Sequence, residues 1–411
     1  MHYLPHGTIT SPLGFTAGAV AAHIKKSGKL DVALIASEHN CTAAGVFTKN
    51  QVAAAPVLVD KETLQVNRVL LRAVVTNAGN ANACTGEQGL ADARHMQQLA
   101  AEALACSPQQ ILVLSTGVIG VPLPMDKLAN GIASAAAQLG RENGQQAAEA
   151  ICTTDTFIKQ AAVQVPLSGG TVTIGGMAKG AGMIHPNMAT MLSVLTTDAA
   201  VDPDVLQGML TAAVEASFNR ISVDGDTSTN DTVLLLANGA SGAKIDRHQW
   251  VEGSDLALFS AALTDLCQTL AKLIVRDGEG ATKLIELRVD GTRTKTDAHQ
   301  IANTIATSPL VKTAFAGSDP NWGRIFAAAG RAGVPFDQRQ TTLRVSSDGQ
   351  TWLTLLENGT PTAYAEADAA DIFAQPEIIV WLSFAEGLAS DTVWTCDLTH
   401  EYVTINADYR T

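Results

Sequence analysis

The chain has 411 residues, too many for one ordinary core, so two or three domains are expected. Hydrophobic residues make up 46% and aromatics only 5%, which supplies packed interiors of small side chains and excludes an overall disordered chain. A net charge of -13 excludes general nucleic-acid binding, which needs a basic face, and suits a cytoplasmic enzyme.

In chain order, residues 31–36 and 69–76 are short aliphatic runs that read as buried strands. Residues 90–106 place Leu90, Ala93, Met96, Leu99, Ala100, Ala103 and Leu104 on one helical face. Residues 111–115 form another strand, stopped by Thr116-Gly117, and 125–139 a second Ala-rich helix. Residues 161–174 alternate through a turn at Gly169-Gly170, which predicts a hairpin. A Gly-rich passage follows at 175–182, then a strand-like run at 191–195 and helices at 204–218 and 255–275. Asp319-Pro320 supplies a capping side chain and a proline where a helix would begin. Residues 392–405 have strand composition, and the part at 403–405 is expected to pin the C-terminus. Both kinds of element mix throughout, so the fold class is α/β, with a last domain beginning near Leu284.

The six cysteines show no CxxC spacing and no Cys/His cluster of zinc spacing, so reduced, buried thiols and no metal site are expected. Residues 1–6 hold no basic region followed by an apolar one, so no signal peptide is expected. No apolar run reaches the ~20 residues of a membrane span. There is no GxSxG, HExxH or GxxxxGK[ST] motif, and the Gly-rich passage matches neither the P-loop nor the dinucleotide fingerprint. His185 alone reads as structural.

Residues 175–192 read Gly-Gly-Met-Ala-Lys-Gly-Ala-Gly-Met-Ile-His-Pro-Asn-Met-Ala-Thr-Met-Leu. This passage resembles the glutamate N-acetyltransferase/ornithine acetyltransferase family of arginine biosynthesis. The same resemblance is carried by 76–86 (with Asn77, Gly79, Asn80, Asn82 and Gly86), by Ser115-Thr116-Gly117-Val118-Ile119-Gly120 and by Thr153-Thr154-Asp155-Thr156. It continues through 276–283, 318–324 and the tail Asn406-Ala407-Asp408-Tyr409-Arg410-Thr411, so it spans essentially the whole chain.

The resemblance implies an N-terminal-nucleophile-like sandwich of mixed sheets packed against helices, with a smaller C-terminal α/β domain. It implies self-cleavage between Ala189 and Thr190, giving an alpha chain of 1–189 and a beta chain whose parts are 190–283 and 284–411. Thr190 is then the acyl-carrying nucleophile, with its own freed α-amino group as base. Thr116 and Gly117 are implied as the oxyanion hole. Lys179, Thr153, Thr154, Glu279, Asn406 and Thr411 join Thr190 in binding substrate. The reaction implied moves acetyl from N2-acetyl-L-ornithine to L-glutamate without a cofactor, and acetyl-CoA stands as a second acyl donor that no residue decides. A cytoplasmic heterotetramer of two alpha and two beta chains is also implied, with no membrane or nucleic-acid partner. A self-processed aminopeptidase or amidase and a non-catalytic amino-acid-binding relative are the competing readings. Asn and Gly also make tight turns for their own sake, so Asn77, Asn80 and Asn82 read as structural.

Overall fold

The computed structural model describes residues 1–185, 191–245 and 251–408. Its first sheet has nine strands. In spatial order they run His2–Tyr3, Lys159–Leu167, Gly170–Lys179, Leu192–Thr197, Thr232–Ala237, Val32–Phe47, Leu71–Asn80 and Ile111–Val118, with Phe15–Val20 also paired to Val32–Phe47. The 16-residue strand Val32–Phe47 is the seam. Its first part pairs with Phe15–Val20 and Leu71–Asn80, its last part with Thr232–Ala237, and the register shifts between Ala36 and Cys41.

At that seam the sheet folds over on itself. Phe15, Ile35, Leu112 and Leu114 from one half share a core with Met177, Val194, Leu234 and Leu236 from the other. The outer face of one half buries Val163, Ile174, Leu195 and Leu235 against Leu210, Phe259, Leu266 and Leu270 of two helices, Pro203–Glu215 and Asp255–Arg276. The opposite outer face buries Leu34, Val75 and Val113 against Val59, Met96 and Ile132 of Ala55–Val66, Gly86–Ala103 and Met125–Ala137. The result is a helix–sheet–sheet–helix sandwich, because period-2 strands bury both faces here and each helix has one apolar stripe to cover.

A second, seven-stranded mixed sheet takes six of its strands from 284–396, and the two-residue strand Ile221–Ser222 joins it to the first body by pairing with Ala389–Cys396. Lys295–Ala306, Pro309–Ala316, Trp322–Gly330 and Glu366–Phe373 cover it around Ile301, Ile305, Phe315 and Phe373.

Four expectations change. The Gly-rich passage at 175–179 is the end of a strand, and its glycines serve packing: a Cβ on Gly175 would lie 2.4 Å from the Thr8 carbonyl oxygen, and one on Gly176 2.7 Å from the Leu195 side chain. Residues 403–405 lie in a helix, His400–Asp408, not a strand. Their β-branched side chains have no strand to pair with, and the Thr399 hydroxyl accepts the Glu401 N–H at 3.3 Å at the helix start. The cap before Trp322 is Asn321, whose side chain accepts the Arg324 N–H at 3.3 Å, and Asp319 sits two residues too early. Finally, Asp255–Arg276 is long and apolar enough to cross a membrane, but Phe259, Leu263, Leu266, Leu270 and Ile274 make it a core helix. Of the cysteines, Cys41, Cys267 and Cys396 are buried while Cys84 is exposed.

Candidate active site

Seven residues singled out in the sequence line one cavity of about 140 Å³: Thr116, Gly117, Thr153, Thr154, Lys179, Glu279 and Asn406. Ala189, Thr190 and Thr411 lie outside the described residues.

One wall is the end of the strand Ile111–Val118. It runs parallel to Leu71–Asn80, with Thr116 opposite Ala78 and Gly117 opposite Gly79. Gly117 has φ 132°, and a Cβ there would lie 2.3 Å from the Gly79 carbonyl carbon, so only glycine allows the two strands to meet this closely. Behind this wall Asn77 accepts the Ser115 hydroxyl at 2.7 Å, and Asn80 donates to the carbonyls of Val121 and Pro122. Asn82 has φ 48° and donates to the Gly89 carbonyl. These three asparagines hold the turn and do not line the cavity.

Lys179 ends the strand Gly170–Lys179, is 3% exposed, and donates to the Thr116 hydroxyl at 3.4 Å. A buried ammonium needs compensation, and a charge network supplies it. Asp155 accepts Lys159 Nζ at 2.6 Å, the Gly180 N–H at 2.8 Å and the Thr153 N–H at 2.8 Å. Lys159 also meets Asp277 at 2.5 Å, and Asp277 takes both the backbone N–H and the hydroxyl of Thr156. Burial pushes the Asp155 carboxyl up, but the Lys179 and Lys159 ammonium groups and the Gly180 N–H outweigh it and hold it at about 2. The turn that carries Thr153 and Thr154 is thereby fixed against the helix Asp255–Arg276, whose C-cap is Asp277.

The opposite wall is acidic. The Glu279 carboxylate accepts Asn406 Nδ2 at 2.8 Å and lies over Gly182, where a Cβ would come within 2.3 Å of it. The Glu279 N–H donates to the Ala181 carbonyl at 2.8 Å. Gly280, at φ 70°, lets the helix His400–Asp408 dock, since a Cβ there would lie 2.6 Å from the Tyr402 nitrogen. Asp224 and Asp226 line the same side. Asp224 accepts the N–H groups of Met183 and Ile184 at 2.5 and 2.9 Å and the Tyr402 hydroxyl at 3.2 Å. Burial pushes its carboxyl above the usual range. His185 faces the Ser222 hydroxyl at 3.2 Å, and burial lowers its pKa.

Sequence reading missed Asp224, Asp226, Asn230, Tyr402 and the partners of Lys159. The polar run 224–232, dense in Asp, Asn, Ser and Thr ahead of an apolar strand, was the available signal, since such side chains hold backbone in tight loops. Chemically, the cavity offers a buried cation beside a strand-ending turn at one end and carboxylates at the other. That division suits a small molecule with an anionic and a cationic end.

Residues 16–411 match the ArgJ family. The arginine biosynthesis bifunctional protein ArgJ of Symbiobacterium thermophilum is 51% identical over 98% of this chain and 99% of its own length. The protein of the same name from Dehalococcoides mccartyi is 48% identical over 99% of this chain and 98% of its own. Among solved structures, arginine biosynthesis bifunctional protein argJ from Bacillus halodurans is 39% identical, covering 52% of this chain and 97% of that one with a TM-score of 0.48. Ornithine acetyltransferase from Mycobacterium tuberculosis, complexed with ornithine, is 44% identical, covering 45% of this chain and 97% of that one with a TM-score of 0.42. With a family match and relatives of this identity along nearly its whole length, the chain belongs to the ArgJ family.

Proposed function

We propose that this arginine-biosynthesis acyltransferase moves acetyl from N2-acetyl-L-ornithine to L-glutamate through an acetyl ester on Thr190. The observation that carries the reading is the convergence of Thr116, Gly117, Thr153, Thr154, Lys179, Glu279 and Asn406 on one cavity, from segments spread between positions 116 and 406.

The chain first cuts itself. The Thr190 hydroxyl attacks the Ala189 carbonyl, the acyl group moves from nitrogen to oxygen, and water releases the ester. This leaves chains of 1–189 and 190–411 and a free α-amino group on Thr190. An α-amino group has a pKa of about 7.7 to 8.0, close to the working pH, so it can take the hydroxyl proton. Thr190 then attacks the acetyl carbonyl of N-acetylornithine, ornithine leaves, and the glutamate amine takes the acetyl group from the ester. Each half-reaction passes through a tetrahedral oxyanion, which the Thr116-Gly117 turn stabilises; one such donor is worth about 3 kcal/mol. Lys179 answers the α-carboxylate that both amino acids carry. Glu279, with Thr153, Thr154, Asn406 and Thr411, holds the rest of the substrate, and the ornithine side-chain ammonium is the natural partner of Glu279.

Residues 190–283 then form the start of the beta chain and 284–411 its C-terminal domain. The two chains stay together as a cytoplasmic two-plus-two heterotetramer. Transfer needs no cofactor, and acetyl-CoA is a second donor to be assayed beside N-acetylornithine.

Intact mass under denaturing conditions tests the reading. Wild type is expected as two fragments, of 1–189 and 190–411, and Thr190→Ala as one uncut chain. The cut protein is expected to pass acetyl to glutamate and to hydrolyse peptides poorly. A folded wild type that stays whole overturns the mechanism.

A further inference from the structure

The segment 228–232 grips two parts of the site at once. Asn230 Nδ2 donates to the carbonyls of Ala81 at 2.6 Å and Ser115 at 2.9 Å. Ser115 directly precedes Thr116, so Asn230 holds the strand at the point where the proposed oxyanion turn begins. The Asn230 side chain is itself set by the Thr229 hydroxyl, which donates to its Oδ1 at 2.6 Å. The next residue, Asp231, is fully buried, and its Oδ1 accepts the N–H of Met191 at 3.0 Å. The Thr232 N–H donates to the Met191 carbonyl at 3.2 Å, so Met191 is held through both its amide and its carbonyl. Met191 directly follows Thr190 in the sequence, so it is the first described residue after the proposed nucleophile. The other oxygen of Asp231 has no hydrogen-bond partner among the described residues, and burial pushes its carboxyl well above the usual range.

We propose that Asn230 and Asp231 are positioning residues, a two-residue clamp that sets the spacing between the Thr116-Gly117 turn and Met191, the residue next to Thr190 in the sequence. The proposal rests on the function given above. Two adjacent residues, one bonded to each side, transmit no slack between them, whereas two separate anchors would. Acyl transfer is sensitive to such spacing: a misplacement of about 1 Å can reduce a rate of this kind by about a hundred-fold.

Asp60 supplies a matched control. It is also fully buried, its Oδ1 accepts the Val113 N–H at 2.8 Å, and its other oxygen has no hydrogen-bond partner among the described residues. Neither carboxyl lines the cavity; Asp60 holds Val113, three residues before Thr116 in its own strand, whereas Asp231 holds Met191. The two carboxyls therefore share a structural role and differ in what they hold.

The test follows self-cleavage by intact mass over time in the full chain, then steady-state transfer from N-acetylornithine to glutamate, with thermal melts throughout. Asp231→Ala is expected to slow cleavage, and to lower kcat with little change in KM, by about a hundred-fold. Asp231→Asn, whose amide oxygen still accepts the Met191 N–H, is expected to recover most of the rate. Asp60→Ala is expected to melt early yet cleave like wild type. Should Asp231→Ala fail to fold, Asn230→Ala carries the same test, with the kcat loss expected there. Cleavage and kcat at wild-type level in Asp231→Ala, or an equal loss in Asp60→Ala, overturns the clamp. A wild type that stays whole overturns the function first and the clamp with it, whereas a cut wild type beside an equally fast Asp231→Ala overturns the clamp alone.

Discussion

Lys159 and Asp277 lie 118 positions apart and form a buried ion pair of 2.5 Å. Lys159 starts the strand Lys159–Leu167, and Asp277 caps the end of the helix Asp255–Arg276. The pair therefore joins sheet to helix directly beneath the turn carrying Thr153 and Thr154. Lys159 also serves Asp155, so one cation compensates two buried carboxylates, and opposing charges raise its own pKa despite burial.

Removing that cation should be severe. Lys159→Met leaves Asp155 and Asp277 without their shared partner in a site closed to water. Breaking one buried pair from one side costs about 3 to 5 kcal/mol, and a loss in this range is expected from the shift in denaturation midpoint. Replacing an exposed pair is the contrast: Arg94→Ala, which loses a 3.0 Å contact with Glu62, should change stability by under about 1 kcal/mol. Equal effects from the two substitutions would refute the assignment of Lys159 as the centre of the network.

Asp155 gives the network a pH signature. Its carboxyl is held at about 2 against an ordinary 3.8, a depressed value. A depressed acid stabilises the fold above its unfolded pKa and loses that contribution as pH falls through the folded one. The loss therefore runs from about pH 4 down to about pH 2, and at 1.36 kcal/mol per unit it amounts to about 2 kcal/mol. Asp198, Asp224 and Asp231 are shifted upward by burial and act in the opposite sense. The difference between wild type and Asp155→Asn isolates the one group. Urea midpoints should diverge most at pH 5 and converge towards pH 2, and parallel curves would contradict the assignment.

Much of this was legible in the sequence. The apolar runs at 111–115 and 161–174 and the helical stripe of Leu90, Ala93, Met96 and Ala100 mark elements by their own periodicity, because each buries one face. Asp231 was not legible, since its role depends on Met191 arriving 40 positions away. The helix at Val403 was misread because β-branched composition signals a strand only where a partner strand exists, and that information is tertiary. That the strand runs on through Gly175 and Gly176 was not legible for a similar reason: their small size answers Thr8 and Leu195, which sequence does not place beside them.

Glu279 and Asn406 should separate binding from chemistry. Asn406 Nδ2 donates to the Glu279 carboxylate at 2.8 Å, and both line the cavity. Glu279→Gln keeps the shape and removes the charge that would face an ornithine ammonium. A charged hydrogen bond contributes about 1.5 to 3 kcal/mol, so KM for N-acetylornithine is expected to rise by about ten-fold or more with a smaller change for glutamate. Asn406→Ala should produce a weaker rise, since it leaves the carboxylate in place. Steady-state kinetics with each substrate varied in turn checks this, and equal effects on the two substrates would contradict the charge argument.

Gly182→Ala tests the same wall by geometry alone. Gly182 has no left-handed backbone that would strain an alanine; what it faces is the Glu279 carboxylate, 2.3 Å from where a Cβ would sit. The far end of a flexible side chain can move, so the fold is expected to survive with a melting temperature close to wild type. The carboxylate cannot stay where it is, and it has to leave the Asn406 amide or shift along the wall. The expected result is a KM for N-acetylornithine raised as in Glu279→Gln. Gly117→Ala is the counterpart with no such freedom. Its Cβ meets the Gly79 backbone at 2.3 Å and its φ of 132° is closed to alanine. That variant should melt early and lose transfer altogether. A Gly182→Ala enzyme with an unchanged KM would show that Glu279 does not face the substrate, whatever the fate of Gly117→Ala.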